Sequence, residues 1–84
     1  MIEDENDPVV ASDIADGRLR LGMSTMALWI GYFEVGGNGT VADVQQWLAG
    51  ERAPSDRDHD FLAQALNDNF VEQGLDHPME YRLD

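Results

Sequence analysis

The sequence predicts a mainly α-helical domain of three helices, at about residues 24–35, 40–50 and 55–73. Three observations carry this. Apolar residues recur at helical spacing in 24–35, 41–48 and 61–70. Ser24 or Thr25, Thr40 and Ser55 stand where helix N-caps belong. Glycine follows each stretch, at Gly36, Gly50 and Gly74.

In the first helix, Met26, Ala27, Leu28, Trp29, Ile30, Tyr32, Phe33 and Val35 leave almost no polar face. A helix apolar nearly all round is buried or lies at an interface, and it is expected here as the central core helix. Gly36-Gly37-Asn38-Gly39 stops it, because these residues favour positive-φ turns. The second helix begins at Thr40, with Asp43 placed to complete a capping box, and carries Val41, Val44 and Leu48 on one stripe. Ala53-Pro54 breaks the chain before the third helix. Ser55 caps that helix, Asp56, Asp58 and Asp60 oppose its dipole, and Phe61, Leu62, Ala65, Leu66 and Phe70 form its apolar face. His77-Pro78 blocks any continuation.

Two short segments alternate polar and apolar residues, Arg18-Leu19-Arg20-Leu21 and Met79-Glu80-Tyr81-Arg82-Leu83. That is the period of a strand, so 18–21 and 79–83 can pair into a two-stranded β ribbon. Residues 1–16 are expected as an acidic, flexible N-terminal segment, with a helical turn at 11–16 that Gly17 could end. Residues 17–84 then form a single helical domain.

Eighty-four residues suit one small domain. The 17 acids face five arginines and no lysine, for a net charge of −12. Half of that excess lies in residues 1–16. Such a charge disfavours direct contact with nucleic acid or an anionic membrane and favours a basic partner. There is no cysteine, hence no disulfide and no thiolate chemistry. No apolar run reaches the ~20 residues of a membrane span, and the acidic first residues do not read as a secretory signal. A cytoplasmic location is the expectation.

No catalytic, cofactor or metal site is expected. Asp56-Arg57-Asp58-His59-Asp60 starts like a calcium loop but has Phe61 and Asn67 where glycine and a bidentate acid are needed. His59 and His77 fall in no ligand motif. Gly36-Gly37-Asn38-Gly39-Thr40 lacks the Gly-Lys-Ser/Thr ending of a phosphate loop and follows a helix instead of a strand. The expectation is a non-enzymatic regulatory or adaptor module that binds another protein, with Trp29, Tyr32, Phe33 and Trp47 at the surface and homodimerisation through the first helix as a natural outcome.

Two resemblances add to this. Val44-x-x-Trp47-Leu48-x-Gly50-Glu51-Arg52-x-Pro54-Ser55, followed by Phe61-Leu62-Ala63-x-Ala65-Leu66, resembles the second half of Cro/repressor-type helix-turn-helix domains. That resemblance implies a DNA-binding alternative, with Gln45 and Gln46 reading bases and Arg52 and Arg57 on phosphates. Residues 40–57, however, hold Asp43, Glu51 and Asp56 against two arginines, whereas DNA-binding surfaces are positive. The run Arg18-Leu19-Arg20-Leu21, Leu28-Trp29-x-x-Tyr32-Phe33-x-x-Gly36-Gly37 and Leu62-Ala63-x-Ala65-Leu66-Asn67 is similar to short uncharacterised proteins of high-GC bacteria, which implies no activity.

Overall fold

A computed structural model describes residues 10–76 and 78–83, with backbone alone for 10–12. Among them are four helices: α1 (Val10–Leu21), α2 (Thr25–Glu34), α3 (Val41–Leu48) and α4 (Asp56–Glu72). The three expected helices are α2, α3 and α4, and their starts follow the local chemistry. Ser24 Oγ accepts the N–H of Ala27 at 3.0 Å. Ser55 Oγ accepts the N–H of Asp58 at 3.1 Å. Thr40 and Asp43 form the full capping box, each side chain accepting the other's backbone N–H at 3.1 and 2.8 Å. Thr40→Ala is therefore expected to cost about 1 kcal/mol of folding stability, read as a lower urea midpoint.

The N-terminal helix α1 departs from expectation. Residues 18–21 are the last turn of α1, and residues 10–16, expected as part of a loose segment, are its first two turns. The rest of that expectation, residues 1–9, lies outside the described residues. Gly17 does not end a turn here. It lets α1 approach the core closely, since a Cβ there would lie 2.8 Å from Met79 Sδ and 3.1 Å from Leu66 Cδ1. The stop is Gly22, at φ +69. Its N–H bonds the Leu19 carbonyl, and the Met23 N–H bonds the Arg18 carbonyl, both at 3.1 Å. This is a Schellman closure. The same pattern ends α2, α3 and α4.

No ribbon forms among the described residues, because 79–83 takes its backbone partners from side chains of α4. Asn67 accepts the Met79 N–H at 2.9 Å and donates to the Met79 carbonyl at 3.0 Å. Asp60 accepts the N–H groups of Arg82 and Leu83 at 2.6 and 2.7 Å. Met79 is thereby seated against Gly17 and Leu66.

The central element is α4, not the helix at 24–35. Both α1 and α2 pack on α4, and α3 packs on α1 and α2. His59, Leu62, Ala63, Leu66 and Phe70 form the buried stripe of α4. Gly31 brings α2 close to it, since a Cβ there would lie 3.2 Å from that of Ala65. Of α2 itself, only Leu28 and Tyr32 are buried. No described helix is long and apolar enough to cross a membrane.

Candidate functional site

The inner face of α2 is organised around Tyr32. Its ring is fully buried and meets Trp47 and Phe61 edge-on, with centroids 5.9 and 6.4 Å away. Its hydroxyl accepts the Gly39 N–H and donates to Asp58 Oδ1, both at 2.8 Å. Burial, and next the bond to Asp58, push the phenol up to about 12 from an ordinary 10.0. Trp47 is also buried. Tyr32 and Trp47, expected at a surface, are therefore core residues. An apolar helix does not state in its own sequence which face turns inward, and here the polar tip of Tyr32 is satisfied from within.

The outer face of α2 is different. Met26, Ile30 and Phe33 are 52%, 45% and 59% exposed. Together with half-buried Trp29 they span about 100° of the helix circumference, one face at positions i, i+3, i+4 and i+7. The face is ordered. The Trp29 indole donates to the Gly39 carbonyl at 3.0 Å, and its ring stacks on Phe33 with centroids 5.6 Å apart. Glu34 is the one charged residue of α2. Thus two of the four expected surface aromatics, Trp29 and Phe33, stand together on an exposed face. Met26 and Ile30 complete it.

The residues that the helix-turn-helix resemblance singled out lie on α3, in the turn after it and at the start of α4. Gln45 is exposed on α3. Gln46 accepts a hydrogen bond from Arg52 Nε at 2.6 Å, and the Arg52 guanidinium also pairs with Asp43 and lies over Trp47. Arg57 lies over the Phe61 ring, 5.3 Å from its centroid. Arg52 is thus engaged within the chain, and its charge is balanced by Asp43. The Thr40 backbone bond first, and Arg52 with it, hold the Asp43 carboxyl below the ordinary range.

A second polar constellation joins residues far apart in sequence. His59 is 1% exposed, with Nε2 3.1 Å from Asp13 Oδ2 on α1 and Nδ1 3.2 Å from Asp60 Oδ1. Burial pushes the Asp60 carboxyl up, but the N–H groups of Arg82 and Leu83 and the His59 ring outweigh it and hold the carboxyl below its ordinary range. The sequence did carry one signal for His59, its place with Leu62, Ala63, Leu66 and Phe70 on a helical stripe. Asp58 and Asp60, which suggested a calcium loop, are turned apart, to Tyr32 and Ser55 in one case and to the C-terminal segment in the other. Compared with known protein families, with curated proteins and with solved structures, the chain finds no match.

Proposed function

We propose that the chain is a non-enzymatic regulatory or adaptor module that docks a basic, apolar-faced helix of a partner protein on the outer face of α2. The observation that carries this is the exposed stripe of Met26, Ile30 and Phe33 beside the pinned Trp29 ring. Helix-on-helix recognition uses anchors at this spacing, and rigid aromatic side chains contribute most per residue to such interfaces. The choice of a basic partner rests on charge. At −12 a second copy of the chain is repelled, whereas a cationic helix is drawn in. The engagement of Arg52 with Asp43 and Gln46 favours this reading over one in which α3 meets DNA.

The test uses a synthetic amphipathic helix of leucine and lysine, a leucine–glutamate helix as its counterpart, and Trp29 fluorescence as the readout. Trp29→Phe identifies the signal of the second tryptophan, the buried Trp47. The leucine–lysine helix is expected to shift Trp29 emission saturably, and Phe33→Asp to weaken binding at least about tenfold with unchanged helicity. Equal binding of both peptides, or wild-type affinity in Phe33→Asp, would overturn the proposal. Self-association through α2 at these concentrations, seen by sedimentation, would instead make a second copy the occupant.

A further inference from the structure

We propose that His59 is a pH-operated latch that holds the N-terminal half of α1 on α4. The imidazole is buried, and each ring nitrogen faces a carboxylate oxygen, Asp13 Oδ2 at 3.1 Å and Asp60 Oδ1 at 3.2 Å. Carboxylates only accept hydrogen bonds, so both contacts are satisfied together only when both ring nitrogens carry protons. A neutral ring has one N–H, and its bare nitrogen would face a carboxylate lone pair.

The two carboxylates are not equivalent, and this decides which contact breaks. Asp60 is fixed by the N–H groups of Arg82 and Leu83. Asp13 is 46% exposed, its other oxygen accepts only the N–H of its chain neighbour Ile14 at 2.9 Å, and it can turn to water. Loss of the proton therefore leaves Nδ1–H on Asp60 and releases Asp13. Asp13 borders a groove of about 260 Å³ between α1 and the C-terminal segment, lined also by Asp16, Arg20, Pro78, Met79 and Glu80. A released Asp13 would join two other carboxylates there, with Arg20 as the counter-charge.

Other charged groups of the packed elements are engaged elsewhere or exposed, and on α1 the Arg18 guanidinium donates to the Met23 carbonyl at 2.8 Å. Asp58 is bound to Tyr32 and Ser55. Asp56 meets the Arg82 guanidinium at 3.9 Å. Asp43 of α3 is bound to Arg52 and Thr40. Glu34, the charged residue of α2, is exposed. Ile14 and Gly17 still anchor the middle of α1, so the latch governs the first turns of the helix and not the whole fold.

The experiment measures amide exchange by NMR at about pH 5.5 and about pH 8.5. It is corrected for intrinsic rates and made in a His77→Gln background so that His59 is the one imidazole. Protection of amides 15–18 is expected to fall about tenfold between the two conditions, while that of amides 28–32 in α2 is unchanged. Asp13→Asn should flatten the difference. Ring ¹⁵N shifts at the lower pH should report both His59 nitrogens protonated. Equal protection of amides 15–18 at both pH values, an undiminished difference in Asp13→Asn, or a singly protonated ring at the lower pH would overturn the latch.

Discussion

Replacing Tyr32 with alanine is expected to remove about 3–5 kcal/mol of folding stability, the range for deleting a buried aromatic side chain. That is a large share of what a domain of this size has, at roughly 0.05–0.15 kcal/mol per residue. The ring fills the space between Trp47 and Phe61. Its hydroxyl ties the turn after α2, through the Gly39 N–H, to Asp58 in the first turn of α4. Tyr32→Phe keeps the ring and loses only these bonds, so about 1–3 kcal/mol should go. The turn is fitted to the ring as closely as the ring to the core. A Cβ on Gly37 would fall 2.3 Å from the Tyr32 ring atoms, so Gly37→Ala should approach the cost of Tyr32→Ala.

Denaturant midpoints followed by circular dichroism would rank Tyr32→Ala and Gly37→Ala as the most damaging, with Tyr32→Phe between them and wild type. A loss below about 1 kcal/mol in Tyr32→Ala would mean that the ring is not a core element. The pH dependence has a fixed sign. The folded state raises the phenol to about 12 from 10.0, so it holds the proton more tightly than the unfolded chain. The stability this provides is complete below pH 10.0 and is lost as pH rises toward about 12. In Tyr32→Phe that part of the alkaline loss should disappear.

Asn67→Ala is expected to release the C-terminal segment from α4. Asn67 is buried, and its amide satisfies both the N–H and the carbonyl of Met79 while also donating to the Tyr81 hydroxyl at 3.1 Å. Leaving the two backbone groups buried without partners would cost about 1–3 kcal/mol each. The segment can escape part of that cost by peeling into water. Peeling in turn exposes Met79, Leu66 and the backbone at Gly17, which the segment covers. The Met79 amide should therefore lose its exchange protection, and chymotrypsin should cut after Tyr81 sooner than in wild type. An Asn67→Ala protein that keeps a protected Met79 amide would show that the segment is held by apolar packing alone.

These side-chain clamps also mark where the sequence could be read and where it could not. The starts of α2, α3 and α4 were legible because Ser24, Thr40 with Asp43, and Ser55 act within three residues of themselves. Their glycine stops were legible for the same reason. Gly22 carries the same signal, and Val10, Ile14, Gly17 and Leu21 recur at helical spacing before it. The alternation Arg18-Leu19-Arg20-Leu21 is shorter than that pattern and pointed to a strand instead. The alternation at 79–83 is real, but its backbone partners are the side chains of Asn67 and Asp60, which no periodicity encodes.

The same distinction applies to the sites. Trp29 and Phe33 were visible as aromatic residues on an apolar helix, but their exposure depends on which face meets α4. That choice is made by Gly31 against Ala65 and by the bonds of the Tyr32 hydroxyl. Asp13 and His59 are 46 residues apart, and only the packing of α1 on α4 brings them together.

The most direct measurement is an NMR titration of the ¹⁵N-labelled full chain with the leucine–lysine helix, mapping which residues shift. Docking on α2 requires the largest changes at Met26, Ile30, Phe33 and the Trp29 indole N–H, with smaller ones at Gly39, whose carbonyl holds that indole. Shifts scattered over the acidic residues of the surface, or concentrated on α3 at Gln45 and Arg52 while α2 stays silent, would contradict it.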